Sequence, residues 1–168
     1  MEKGLIQIYT GDGKGKTTAA IGLLIRAFGC GLNTGLIQFL KGVASSELKV
    51  LKSLGIPFWQ FGSGEFIKEE PSAKDRELAK KGLEFVESVW VECDLLVLDE
   101  ISYLITCQLV AEEDVLSLLK KKPKHLELVL TGRDMPEEIM KEADLITEMK
   151  KIRHPYDKGI LARKGIEY

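Results

Sequence analysis

Histidine is nearly missing from this sequence of 168 residues: His125 and His154 are the only two. Neither belongs to a Ser-His-Asp or Cys-His arrangement, so triad-type nucleophilic chemistry is not expected. Both read as structural, His154 as a residue that orders the tail. Cysteine is as sparse. Cys30, Cys93 and Cys107 are odd in number and share no metal-ligand spacing, so they are expected as buried free thiols of a reducing cytoplasm. No apolar run approaches the roughly 20 residues of a membrane helix. The apolar pattern begins at Gly4, which leaves no room for a signal peptide. Nor is one sign of charge in excess. The net charge is −2, so no global field draws the chain to nucleic acid. The run Lys120-Lys121-Lys122 closes a helix that opens on Glu112, Glu113 and Asp114, and complements that helix's dipole.

Repeats, low-complexity segments and linkers are also lacking, and 45% of the residues are hydrophobic. One domain over residues 1–168 with a full core is expected. Strand-like apolar runs fall at 4–10, 34–40, 56–61, 94–99, 125–131 and 145–151. Helical patterns fall between them at 17–28, 45–54, 73–92, 111–121 and 136–143. The runs at 94–99 and 125–131 are nearly continuous, as in strands covered on both faces. Ser72 with Asp75 forms a capping box, and Asp134, Pro136 and Glu137 mark another helix start. Leu78, Phe85, Val86, Val89 and Trp90 form a core stripe. Alternating strands and helices predict an α/β fold, three-layered, with a mostly parallel six-stranded sheet. Ligands bind such sheets at the carboxyl ends of the strands.

The richest segment lies at the first such end. Thr10-Gly11-Asp12-Gly13-Lys14-Gly15-Lys16-Thr17-Thr18 runs between an apolar strand and a helix. Gly11, Gly13 and Gly15 let the backbone approach an anion, and successive N–H groups with the helix N-terminus attract it. Lys16 is placed for the phosphates and the Thr17 hydroxyl for Mg²⁺. The usual spacing asks for glycine where Thr10 stands. A glycine-rich turn that happens to hold two lysines is the plainer reading. The order of strand, loop, Lys-Thr and helix speaks against it.

Leu95-Leu96-Val97-Leu98-Asp99-Glu100 is an apolar strand ending in two carboxylates. A Mg²⁺ bridging triphosphate oxygens needs such a carboxylate opposite the loop threonine. Alternation along a strand lets one of the pair touch the metal directly. These residues specify binding of a Mg²⁺-nucleoside triphosphate. Hydrolase, kinase, motor and transferase remain open on that basis.

Further segments extend the pattern: Arg26-Ala27-Phe28-Gly29, Asp99-Glu100-Ile101-Ser102-Tyr103, Thr131-Gly132-Arg133, Ala143-Asp144-Leu145-Ile146-Thr147-Glu148-Met149, and the tail from His154-Pro155-Tyr156 to Tyr168. With the loop and its Thr10 variant, the chain resembles the P-loop type ATP:corrinoid adenosyltransferases along nearly its whole length. The resemblance implies a P-loop NTPase (RecA-like) fold and usually a homodimer. It also implies that Co(I) of a reduced corrinoid attacks the 5′ carbon of ATP and that triphosphate leaves. The nucleotide would lie reversed, with the loop on the departing triphosphate. A flavoprotein would supply the reduced cobalt.

Carried over position by position, the resemblance puts Gly11, Asp12, Gly13, Lys14, Gly15, Lys16, Thr17 and Thr18 on the phosphates. Arg26 and Arg133 are further nucleotide candidates. Thr17, Asp99 and Glu100 would serve the metal, and Lys16 and Glu100 the chemistry. Two departures stand out. Only Met1, Glu2 and Lys3 precede the first strand, where family members commonly carry a polar extension. The family's Gly-Phe-x-Trp-like stretch, which displaces the corrinoid's lower ligand, is replaced by Gly64-Glu65-Phe66-Ile67. Phe66 is the corrinoid candidate there, and Trp59 is read as core. Two rival readings are a RecA-like ATPase that drives a partner and a nucleotide-binding regulator without catalysis.

Overall fold

A computed structural model describes residues 2–42, 45–64 and 70–167. Six strands form one sheet: β1 (Ile6–Thr10), β2 (Thr34–Phe39), β3 (Phe58–Phe61), β4 (Leu95–Asp99), β5 (Glu127–Thr131) and β6 (Leu145–Glu148). Their spatial order is β3-β2-β4-β5-β1-β6 and every pairing is parallel. All six predicted strands are present, each shorter than its apolar run.

Alternation along the strands builds two cores. Ile6, Ile8, Ile37, Phe39, Leu96, Leu98, Leu128 and Leu130 face one side. There they meet α3 (Ala73–Val89), α4 (Ser102–Thr106), α5 (Glu112–Lys121) and α6 (Glu137–Lys141). Leu36, Leu95, Val97 and Val129 face the other side. They pack on α1 (Lys16–Gly29) through Ala20, Leu24 and Ala27, and on α2 (Ser46–Leu54) through Leu48 and Leu51. The three-layer expectation therefore holds, with β4 and β5 buried along their whole lengths. At about 25 cal/mol per Å² of apolar surface removed from water, these two faces supply the main drive to fold.

Local signals behave as their chemistry requires, with some corrections. Ser72 and Asp75 form the expected reciprocal capping box of α3. Val86 and Trp90 of the expected stripe are buried, and Ala79, Gly82 and Leu83 extend it. Trp59 packs edge-on against Phe85 with ring centroids 5.2 Å apart, so it is core, as read. Pro136 and not Asp134 is the N-cap of α6; Asp134 instead takes a left-handed turn, with φ of 47°. Lys122 lies past the last turn of α5 and ties down three carbonyls, of Gly4, Pro123 and Leu126. Cys30 is exposed at the C-cap of α1 and Cys107 is half-buried, which corrects the expectation of three buried thiols. Cys93 is buried, and burial pushes its thiol up to about 11. The helix α4 has no sequence counterpart above. It is a single turn of five residues with no side-chain cap.

β6 is an edge strand with all four residues exposed. The chain beyond it returns across the carboxyl end of β1. A short 3-10 helix at Pro155–Lys158 is ordered by His154, whose Nδ1 accepts from Tyr156 N.

Candidate active site

The alternation that builds the cores also assembles the site. Asp99 shares the parity of Leu95 and Val97, so its side chain falls on the α1 face. Gln38 shares the parity of Leu36, and Thr131 that of Val129. Registration aligns Gln60 with Gln38 and Gln38 with Asp99. The result is a row of polar side chains across four neighbouring strands at their carboxyl ends. Gln60 Nε2 donates to Gln38 Oε1 at 3.1 Å, and Gln38 Nε2 donates to Asp99 Oδ2 at 3.1 Å. The Thr131 hydroxyl donates to Asp99 Oδ1 at 2.7 Å.

Asp99 is fully buried. A buried carboxylate is tolerated when it is paired and its lone pairs are filled. Four donors do this. Besides Gln38 and Thr131, the Thr17 hydroxyl donates to Oδ1 at 2.7 Å and Lys41 Nζ to Oδ2 at 2.8 Å. Burial alone would lower the Lys41 pKa, but the Asp99 charge and hydrogen bond outweigh it and the net shift is upward.

The glycine loop connects β1 to α1. Gly11 and Gly15 have φ of 96° and 120°, which glycine takes without strain. Gly13 N donates to Met149 O at 2.6 Å, so the chain after β6 props the loop. Lys16 is buried, and its ammonium folds back on the loop, donating to Gly11 O at 2.6 Å and Gly13 O at 2.8 Å. Those carbonyls use ammonium donors that an anion in the loop would compete for. Burial lowers the Lys16 pKa, and the nearby Arg133 charge adds to the effect. Lys14 reaches outward to Glu167 at 3.0 Å. Glu167 is also held by Arg163, and these partners hold its carboxyl down to about 2.

Glu100 follows Asp99 in a left-handed conformation, with φ of 64°. Thr131 Oγ1 accepts from its backbone N–H at 3.0 Å. Its Oε2 is buried with no hydrogen-bond partner among the described residues. Burial and the Asp99 charge raise its pKa. An orphaned carboxylate oxygen next in sequence to Asp99, whose own carboxylate holds Thr17, fits a divalent cation. Among the described residues no three His, Cys, Asp or Glu side chains gather into a complete ligand set. Mg²⁺ at a triphosphate keeps waters and phosphate oxygens and asks the protein for one or two groups.

The structure thus brings together Gly11, Gly13, Gly15, Lys16, Thr17, Asp99 and Glu100. Arg133 is exposed but close enough for its charge to act on both Lys16 and Glu100. Asp12, Lys14 and Thr18 lie on the outer rim of the loop and first helical turn. Arg26 sits in the last turn of α1, about 15 Å along the axis from Lys16 at 1.5 Å per residue. It is not part of this cluster. Phe66 lies outside the described residues. Lys41, Gln38 and Gln60 were not singled out from sequence. Their signal was a polar residue repeated near the carboxyl ends of successive apolar strands.

Two solved structures share this fold. The flagellar accessory protein FlaH of Methanocaldococcus jannaschii superposes with a TM-score of 0.62 at 18% identity, over 88% of this chain and 72% of that one. The RadB recombinase gives 0.52 at 12%, over 91% and 77%. The likeness shows a shared parallel α/β architecture. Sequence relatives are more informative. Corrinoid adenosyltransferase CobA of Salmonella typhimurium is 33% identical over 170 residues, covering 99% of this chain and 87% of that protein. The corrinoid adenosyltransferase of Escherichia coli strain K12 is 31% identical over the same span. That of a Sinorhizobium species is 34% identical over 174 residues, covering 99% and 81%. Residues 2–168 match the family described as ATP:corrinoid adenosyltransferase BtuR/CobO/CobP, and the chain belongs to that family.

Proposed function

We propose that this protein transfers the 5′-deoxyadenosyl group of ATP to the Co(I) of a reduced corrinoid and releases triphosphate. The observation that carries the reading is the pairing of an anion-ready loop with a buried carboxylate network whose Asp99 oxygens are already filled by four donors. Co(I) is itself a strong nucleophile and needs no general base. Its electron pair forms the cobalt–carbon bond, the C5′–O bond breaks, and that pair leaves on the triphosphate. The protein's task is to hold C5′ in line and to stabilise the departing charge.

Lys16 and the loop amides are suited to the triphosphate. Thr17 and Glu100, with Asp99 acting directly or through water, would hold Mg²⁺, which would neutralise charge on the leaving group. Asp99 fixes the Thr17 rotamer, and Thr131 spaces the two strands that carry them. The corrinoid would sit against the chain after β3, where Phe66 belongs. A homodimer is part of the proposal. The open edge of β6, with Leu145 and Ile146 exposed, supports it. So is an external flavoprotein reductant, since the reaction requires Co(I). No helix of the described residues is long and apolar enough to cross a membrane, in keeping with a cytoplasmic enzyme.

One observation favours a second reading. The unpartnered, raised-pKa carboxyl of Glu100 is the kind of group that orients water in an ATPase. Incubation with Mg-ATP, with and without chemically reduced cob(I)alamin, separates the two. Triphosphate formed only with the corrinoid supports transfer. ADP and phosphate formed without it support hydrolysis. Tight ATP binding with no product identifies a regulator.

A further inference from the structure

Lys41 is no part of the glycine loop, yet the fold delivers it to the same site. β2 ends at Phe39, and the φ of 58° at the next residue, Leu40, is a left-handed conformation that leucine rarely adopts. The reversal drops Lys41 out of the strand and brings its ammonium to Asp99 Oδ2. Close backbone packing holds the reversal in place. A Cβ on Gly42 would lie 2.5 Å from Gly62 O, and one on Gly62 would lie 2.4 Å from the Leu40 carbonyl carbon. Strain of this kind persists where the surroundings over-determine it, and it gathers at ligand clamps.

The other oxygen of the same carboxylate holds Thr17, so one carboxylate separates Lys41 from the loop threonine. An ammonium carries three donors. Asp99 is the one hydrogen-bond partner of Lys41 among the described residues. Its side chain keeps 31% of its exposure, so the remaining donors can be reached from the cleft.

We propose that Lys41 is a triphosphate-binding residue, stored on Asp99 in the nucleotide-free protein and able to donate to the departing triphosphate alongside Lys16. The proposal rests on the transfer reading, in which a highly charged leaving group departs. A merely structural Lys41 would balance the Asp99 charge and leave triphosphate affinity alone.

The test is titration calorimetry of inorganic triphosphate, with and without Mg²⁺, on the wild type, Lys41→Met and Lys41→Arg. Lys41→Met is expected to bind about tenfold or more weakly in both conditions, and Lys41→Arg to recover most of the loss. Unchanged affinity in a Lys41→Met variant of normal circular dichroism overturns the proposal. Should Lys41→Met misfold, Asp99→Asn alone is compared with the Asp99→Asn, Lys41→Met double variant. Equal affinities there overturn it, and a further loss in the double variant supports it. Triphosphate binding needs no corrinoid. A wild type that fails to adenosylate yet shows the Lys41 dependence removes the transfer reading and keeps the lysine's role. An active transferase whose Lys41→Met binds triphosphate normally does the reverse.

Discussion

Thr17 and Asp99 stand 82 positions apart in the chain and are joined by a 2.7 Å hydrogen bond. The bond crosses β5, which lies between the strands that lead to each of them, and Thr131 at the end of β5 donates to the same oxygen. The loop and the acidic strand are therefore fixed to each other before any nucleotide binds. This is preorganisation, and disturbing it is expected to harm both stability and turnover.

Asp99→Ala is expected to destabilise the fold by about 3–5 kcal/mol, because it strands the half-buried Lys41 and three further donors. Asp99→Asn keeps one acceptor and the shape, so it is expected to fold but to need more Mg²⁺ for half-maximal activity. Thermal unfolding and a Mg²⁺ titration of the rate check the pair. A normal Mg²⁺ requirement in Asp99→Asn would remove the carboxylate from the metal's surroundings.

Lys16→Ala is expected to lose about 10²–10³-fold in turnover, the usual effect of deleting one preorganised donor to developing charge. The fold should survive, since the Lys16 ammonium bonds only carbonyls of its own loop. Steady-state kinetics with circular dichroism test this. Near-wild-type turnover would end the role assigned to Lys16.

Glu100 gives a signed pH prediction. Burial and the Asp99 charge raise its folded pKa above the ordinary carboxylate value of 4.5. The native state therefore holds the proton at pH values where the unfolded chain has lost it. Stability is lost as pH rises from the unfolded value through the raised one. Glu100→Gln removes that penalty, so its midpoint is expected about 2–4 °C above wild type at pH 7.5 and equal to it near pH 4, while activity falls. Melting curves at the two pH values decide it. A difference that persists at low pH would assign the effect to packing.

Gly13→Ala probes the prop beneath the loop. An added Cβ would lie 2.6 Å from Met149 O, a backbone atom with little room to retreat. A cost of about 1–3 kcal/mol is expected, together with weaker ATP binding. Cleavage by trypsin at Lys150 or Lys151 should quicken as the chain after β6 loosens. Unaltered proteolysis would mean the loop and the tail are independent.

The sheet was legible because nearly continuous apolar runs such as Leu95 to Leu98 are buried on both faces, and the glycine loop because its chemistry is compact in sequence. What escaped was assembled by register. Gln38 and Gln60 look like interruptions in apolar strands until pairing sets them beside Asp99. Lys41 is a lone lysine after a strand, and only the reversal at Leu40 turns it inward. Arg26 is the opposite case: it belongs to a recognisable segment, and helix geometry sets it about 15 Å along α1 from Lys16. The helix α4 was missed because one uncapped turn leaves too short a period to read.

The tail pairing of Glu167 with Lys14 bears on how the protein is handled. All strands run the same way, so residue 4 emerges at the amino ends of the sheet while residue 167 rests against the loop at the opposite edge. An affinity tag or fluorescent fusion appended after Tyr168 would crowd the nucleotide cleft. The same addition ahead of Met1 would hang from the far side, so purification and labelling schemes should favour that end.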